Sequence, residues 1–323
     1  MDSKPFDGLL RRTIRWLVRA GAVLAAAPLL GGCQMALMDP AGPIGADEKS
    51  IILLATGLML IVVIPVIVMT IAFAWRYRAS NENATYAPDW HHSNRIEAIV
   101  WAIPCLIVLA LGDVTWASSH KLDPWARIPY AGKPLEVEVV SLDWKWLFIY
   151  PQYHVASVNE LAMPVGRPVH FRLTSATVMN SFFIPRLGSQ IYTMTGMETQ
   201  LNLRADRPGV YRGISANYSG KGFADMKFKA LALGPSGFNA WIARAGAAKA
   251  RLDLASYRTL SAHGVAPAAT YYGAVDPMLY DKILNRCVDT TPCTDDAPRL
   301  ATAKPTTPDM AMRMPAATSK HKS

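Results

Sequence analysis

The chain has 323 residues, is 51% hydrophobic and 18% charged, and carries a formal net charge of +9. Part of that charge sits in an arginine-rich N-terminus (Arg11, Arg12, Arg15, Arg19) and in a basic C-terminal end, so it does not indicate nucleic-acid binding. There are four cysteines, Cys33, Cys105, Cys287 and Cys293.

In chain order, the arginines precede a short apolar segment, Ala20 to Leu30, too short to span a bilayer. It ends in Leu30-Gly31-Gly32-Cys33. Small residues before a cysteine after such a run resemble a bacterial lipoprotein signal. Residues 1–32 are therefore expected to be removed and Cys33 lipidated, leaving a lipid-anchored segment, 33–50.

Residues 51–75 form an uncharged apolar run longer than the roughly 20 residues that a membrane helix needs. Pro65 lies inside it. A second run covers about 96–118, but its uncharged part, Ala98 to Gly112, is shorter, so Glu97 or Asp113 must sit at the membrane edge. Trp75, Trp101 and Trp116 lie near the ends of the runs, where interfacial aromatics gather. The two runs make a transmembrane hairpin over 51–120. Its connection carries Arg76, Arg78 and Arg95, which puts that loop in the cytoplasm and everything after residue 118 outside. The adjacent pair His91-His92 in that loop is expected to be solvated.

From Leu135 to Leu233 the pattern is strand-like. Leu135-Glu136-Val137-Glu138-Val139 and Val169-His170-Phe171-Arg172-Leu173 alternate, and Pro164-Val165-Gly166 and Arg207-Pro208-Gly209 mark turns. An antiparallel β sandwich or barrel is predicted within residues 121–234. His170 reads as a structural histidine of a strand, and Met179, Met194, Met197 and Met226 as core fillers. After Leu233, Phe238, Trp241, Ile242 and Ala245 fall at helical spacing. Asp276 and Pro277 look like the cap and first position of another helix. A helical extension is expected over 235–293. The remainder, 294–323, is rich in Ala, Pro, Thr and Met and is expected to be disordered. Cys105 reads as inert packing in a membrane helix. Cys287 and Cys293, close neighbours in an oxidising compartment, are expected to form a disulfide, with a metal pair as the weaker alternative.

The stretch Gly213-Ile214-Ser215-Ala216-Asn217-Tyr218-Ser219-Gly220-Lys221-Gly222-Phe223-Ala224-Asp225-Met226 resembles the CuA loop in subunit II of cytochrome c oxidases. That family loop reads roughly G-x-C-S-E-x-C-G-x-x-H-x-x-M, with a further His in a V-x-H-S segment. At the two Cys positions stand Ser215 and Ser219, at the Glu position Asn217 and at the loop His Phe223. Val178-Met179-Asn180-Ser181 puts Asn180 at the other His, and only Met226 is kept. A binuclear copper centre needs soft thiolates and imidazoles. Two hydroxyls, carboxamides and a phenyl ring do not supply them, so no metal or other cofactor is expected in this chain.

The pattern resembles the subunit II of bo-type ubiquinol oxidases, as does Val158-Asn159-Glu160-Leu161-Ala162-Met163-Pro164. The resemblance implies an α+β membrane protein with a cupredoxin-like Greek-key barrel in the periplasm of a bacterium, held in the cytoplasmic membrane. It implies an accessory, non-redox subunit of a proton-pumping enzyme that oxidises ubiquinol and reduces oxygen. The hemes and CuB would lie in a partner, subunit I, alongside other oxidase subunits. Cytochrome c is not an expected partner, and the excess of Lys and Arg between Lys133 and Lys229 agrees, because docking that basic protein calls for an acidic face. Asp143-Trp144-Lys145-Trp146 resembles the aromatic segment over CuA, but with no copper its expected role is to pack the barrel against the membrane-proximal face. Glu97, Trp101 and Pro104 resemble the mouth of a proton channel shared with subunit I. A plain interfacial carboxylate, paired with Arg95, is the alternative for Glu97. A CuA-bearing cytochrome c oxidase subunit and a non-catalytic envelope lipoprotein are the other two candidates for the chain as a whole.

Overall fold

A computed structural model describes residues 36–85, 89, 91–265 and 268–288. The expected signal peptide, Cys33, Cys293 and the C-terminal tail lie outside the described residues.

Both apolar runs are helical. Helix α1 (Pro43–Arg76) continues through Pro65 and α2 (Asn94–Lys121) through Pro104. Each is long and apolar enough to cross a membrane, and the apolar window of each is exposed along its length. At 34 residues, α1 is about 51 Å long at 1.5 Å per residue, well beyond the roughly 30 Å of a hydrocarbon core. Its first turns pack on the extramembrane domain instead. The Gly45 N–H donates to Leu187 O at 3.0 Å, and Glu48 Oε1 accepts from the Ser189 N–H at 2.7 Å. Just before the helix, Ala41 is buried in the domain core. A Cβ on Gly42 would lie 2.1 Å from Arg204 O, so only glycine lets the backbones meet there. Asp39 pairs with Arg186 and Arg207, both from the domain, and these guanidiniums hold its carboxyl below the ordinary value. The segment expected to follow a lipidated cysteine is thus strapped to the domain.

The domain is two facing sheets. One has the order β12-β3-β2-β1-β5-β8, built from β1 (Leu135–Leu142), β2 (Lys145–Tyr150), β3 (Val155–Val158), β5 (Val169–Ser175), β8 (Thr199–Leu203) and β12 (Thr270–Tyr272). The other runs β4-β10-β9-β6-β7, from β4 (Glu160–Pro164), β6 (Asn180–Phe183), β7 (Gln190–Thr193), β9 (Gly209–Ser215) and β10 (Lys227–Leu233). Neighbours are antiparallel except β1–β5 and β4–β10, which run parallel. Alternation decides the inner face: Leu135, Val137 and Val139 of β1 and Val169, Phe171 and Leu173 of β5 enter the shared core. Phe182 lies at its centre, stacked on Phe228 at 5.1 Å, with Trp146 and Phe171 each at 5.4 Å.

The alternation of β1 stops at Val140 because the outer side of its sheet is also covered. There Val140, Leu142 and Leu147 form a second core with Leu252, Tyr257 and Leu279 of the C-terminal extension. That extension was expected to be helical. It holds α3 (Pro235–Gly246), α4 (Leu254–Ser261) and α5 (Leu279–Leu284). It also supplies β12 to the first sheet and a two-stranded pair, β11 (Arg251–Leu252) with β13 (Ala274–Val275). Strands of two or three residues carry too little alternation to be seen in a sequence. Helix α5 begins at Leu279 rather than at Pro277: the Asp276 side chain accepts from the Met278 N–H and from Lys282 Nζ, capping the preceding turn.

Candidate functional site

The loop between β9 and β10 and the start of β6 bring the six expected positions to one end of the sandwich. Asn180, the first residue of β6, is 1% exposed. Its Oδ1 accepts from Ser215 Oγ at 3.2 Å, and its Nδ2 donates to Val178 O at 3.1 Å. Ser215, the last residue of β9, is buried, and its backbone N–H donates to Met226 O at 3.2 Å. Asn217 donates to Met179 O at 3.1 Å, tying the loop to the β5–β6 connection. Ser219 Oγ lies 4.0 Å from the sulfur of the buried Met226. Phe223 opens a 3-10 turn that returns the chain to Met226, and its ring packs against Tyr218 at 5.6 Å.

The frame is therefore present and closed by neutral hydrogen bonds. Its donors are hydroxyls, carboxamides and one thioether, a set that does not fit a binuclear copper centre. Among the described residues, no group of three His, Cys, Asp or Glu side chains is placed to hold a metal ion.

The Asp143–Trp146 segment divides its work differently from the expectation. Trp146 is fully buried inside the sandwich. Trp144 sits in the β1–β2 turn at φ 66°, an uncommon conformation for a bulky residue. Its Nε1 donates to Ser219 O at 3.1 Å, and its ring closes on Gly222, where a Cβ would lie 2.3 Å away. Trp144 thus clamps the degenerate loop. Lys145 reaches the extension, donating to Ala262 O at 2.9 Å, and its burial lowers the ammonium pKa against the pull of Asp143. Of the four methionines expected in the core, Met226 is buried but Met179 is exposed. His170 holds Asn202 Oδ1 at 2.9 Å, as a structural histidine would.

Glu97 lies in the first turn of α2, following the N-cap Ser93. It pairs with His92, Nδ1 to Oε1 at 2.7 Å, and not with Arg95. The other His92 nitrogen contacts Asn94 Oδ1. The sequence holds the clue, since a loop histidine five residues before a first-turn carboxylate can fold back over it; adjacency to His91 hid it. Cys287 is disulfide-bonded, and Cys105 is free and exposed.

Residues 151–230 match the family model for the periplasmic domain of cytochrome c oxidase subunit II, and residues 247–291 the COX aromatic-rich motif. The chain is 55% identical over 273 residues to cytochrome bo(3) ubiquinol oxidase subunit 2 of Pseudomonas aeruginosa, covering 84% of this chain and 81% of that one. It is 50% identical to ubiquinol oxidase subunit 2 of Acetobacter aceti (81% and 85% covered) and 34% identical to quinol oxidase subunit 2 of Bacillus cereus (79% and 89%). On these identities and coverages, and with two helices long and apolar enough to cross a membrane, the chain belongs to the ubiquinol oxidase branch of the heme–copper oxidase subunit II family.

Proposed function

We propose that this chain is the accessory subunit II of a proton-translocating ubiquinol oxidase, a complex that oxidises quinol and reduces oxygen to water. The observation that carries the reading is the copper frame without copper donors: Asn180, Ser215, Asn217, Ser219 and Phe223 stand where thiolates, a carboxylate and imidazoles would be needed. Electrons from cytochrome c have no entry here. The hemes and CuB belong to a partner, subunit I, and the membrane helices and the barrel of this chain brace that partner.

The chain is a membrane protein with a periplasmic domain. Three finer points support one another: the lipid anchor at Cys33, residence in the cytoplasmic membrane, and the α1–α2 loop in the cytoplasm. On that orientation Glu97 lies at the cytoplasmic edge, where a proton leaves water for the large subunit. An intramembrane-edge carboxylate is a functional candidate by default, and the His92 imidazole stands 2.7 Å from it. Cys287 and Cys293 are the proposed disulfide.

The test is to purify the chain from its host membrane, record the heme spectrum of what accompanies it, and compare oxygen uptake with ubiquinol and with reduced cytochrome c. Heme and quinol-driven uptake are expected. A heme-free preparation, or uptake driven by cytochrome c alone, would overturn the reading.

A further inference from the structure

On the outer side of the first sheet, one arginine stands among four carboxylates. Arg172 of β5 donates from Nε and Nη2 to Glu198 Oε2 at 3.0 and 2.7 Å, and from Nη1 to Glu138 Oε1 at 2.8 Å. Glu136 lies 3.6 Å from the guanidinium and Asp281 3.9 Å. The guanidinium carbon sits 4.9 Å from the ring centroid of Tyr280. Tyr280 is 1% exposed, and its hydroxyl has no hydrogen-bond partner among the described residues.

The cluster straddles a seam. Glu136, Glu138, Arg172 and Glu198 belong to the barrel, whereas Tyr280 and Asp281 belong to α5, the last described helix of the extension. Leu279, Tyr280, Ile283 and Leu284 hold α5 on the sheet by apolar contact with the second core. Charge at the seam opposes that contact, since four carboxylates face a single guanidinium and Coulomb repulsion is strong where water is scarce. Burial pushes Glu138 up to about 7 against the attraction of Arg172, and Glu136, Asp281 and Glu198 add to the rise. Burial also pushes the Tyr280 phenol well up, so it stays neutral.

We propose that this cluster is a proton-operated latch: Glu138 holding a proton lets α5 seat on the barrel, and Glu138 ionised loosens the C-terminal extension. The direction follows from linkage. A carboxyl that holds its proton more tightly docked than free favours docking at low pH, and that preference is lost as pH rises through about 7. If undocking returned Glu138 to its ordinary value, the docking equilibrium would fall by at most about tenfold between pH 6 and 8.

Hydrogen–deuterium exchange on the intact, membrane-extracted assembly tests this at pH 6, 7 and 8, with labelling times scaled for the intrinsic rate. Wild-type peptides spanning 276–288 should lose up to about tenfold in protection from pH 6 to 8, while β1 and β5 hold theirs. In Glu138→Gln that loss should vanish. Asp281→Asn, which removes a facing charge from a half-buried helix position, should raise protection of the same peptides at pH 8. If Glu138→Gln disturbs β1 itself, Asp281→Asn decides alone. A wild-type profile that does not change with pH, a pH-dependent loss that persists in Glu138→Gln with β1 intact, or no gain in Asp281→Asn overturns the latch.

Discussion

Replacing Arg172 by glutamine removes the one cation that the described residues place among Glu136, Glu138, Glu198 and Asp281. The Glu198 side chain is 3% exposed and that of Glu138 11%, so neither can turn to water. Stranding buried carboxylates in this way costs about 3–5 kcal/mol, which for a domain of this size lowers the melting temperature by roughly 6–20 °C. The pH dependence has a definite sign. Glu138 holds its proton up to about 7 in the fold and to about 4.5 when unfolded, so stability intact below 4.5 falls by on the order of 3 kcal/mol as pH rises to 7. Arg172→Gln should therefore cost more at pH 8, with Glu138 ionised, than at pH 5. Thermal unfolding of the purified assembly, followed by tryptophan fluorescence at both pH values, measures it. A loss below about 1 kcal/mol, the value of an exposed ion pair, or one that is equal at the two pH values, would refute the argument.

Copper loading of the purified protein should give no stoichiometric two-copper product and no purple chromophore, because Asn180, Ser215, Asn217, Ser219 and Phe223 lack the donors; metal analysis decides. Glu97→Ala should slow quinol-driven oxygen uptake without loss of heme, and Glu97→Gln should do the same if the proton rather than the shape matters; wild-type turnover across pH would leave Glu97 an interfacial residue. Gly222→Ala drives a methyl to 2.3 Å from the Trp144 ring and should destabilise the domain by about 1–3 kcal/mol, seen as a lower denaturation midpoint. Mass spectrometry of the native chain should find Cys33 as an acylated N-terminus; a retained 1–32 segment would contradict it.

The membrane helices and the barrel could be read from the sequence because their signals are periodic and local. An uncharged run writes its own helix, and alternation in β1 and β5 assigns their inner faces. The alternation failed at Val140 and Leu142, where the outer face is buried too, and that burial depends on a segment more than a hundred residues away. Arg172 illustrates the same limit. In sequence it is one polar residue on the outer side of a strand. Only the registers of β1 with β5 and of β5 with β8 set Glu138 opposite it and Gln200 beside it, and only the return of α5 seals the cluster. His92 is a different case: its partner Glu97 is close in sequence but lies across a helix start, and the neighbouring His91 obscures the pairing.

The frame that survives without its ligands follows from how such a loop is closed. Where thiolates and imidazoles converge, the metal supplies binding energy that also holds the loop in place. Here no such donors stand at those positions. The Asn180–Ser215 pair, the Asn217 bond to Met179 O and the Ser215–Met226 backbone bond close the same gap. Each is worth about 1 kcal/mol, less than a metal ion gives, and the Trp144 ring over Gly222 adds apolar cover. On the proposed reading of this chain as a bracing subunit, retention of shape without redox chemistry is what the loop end of the barrel would need. Substitutions that keep these neutral bonds should be tolerated there, while charges introduced at Asn180 or Ser215, both buried, should not.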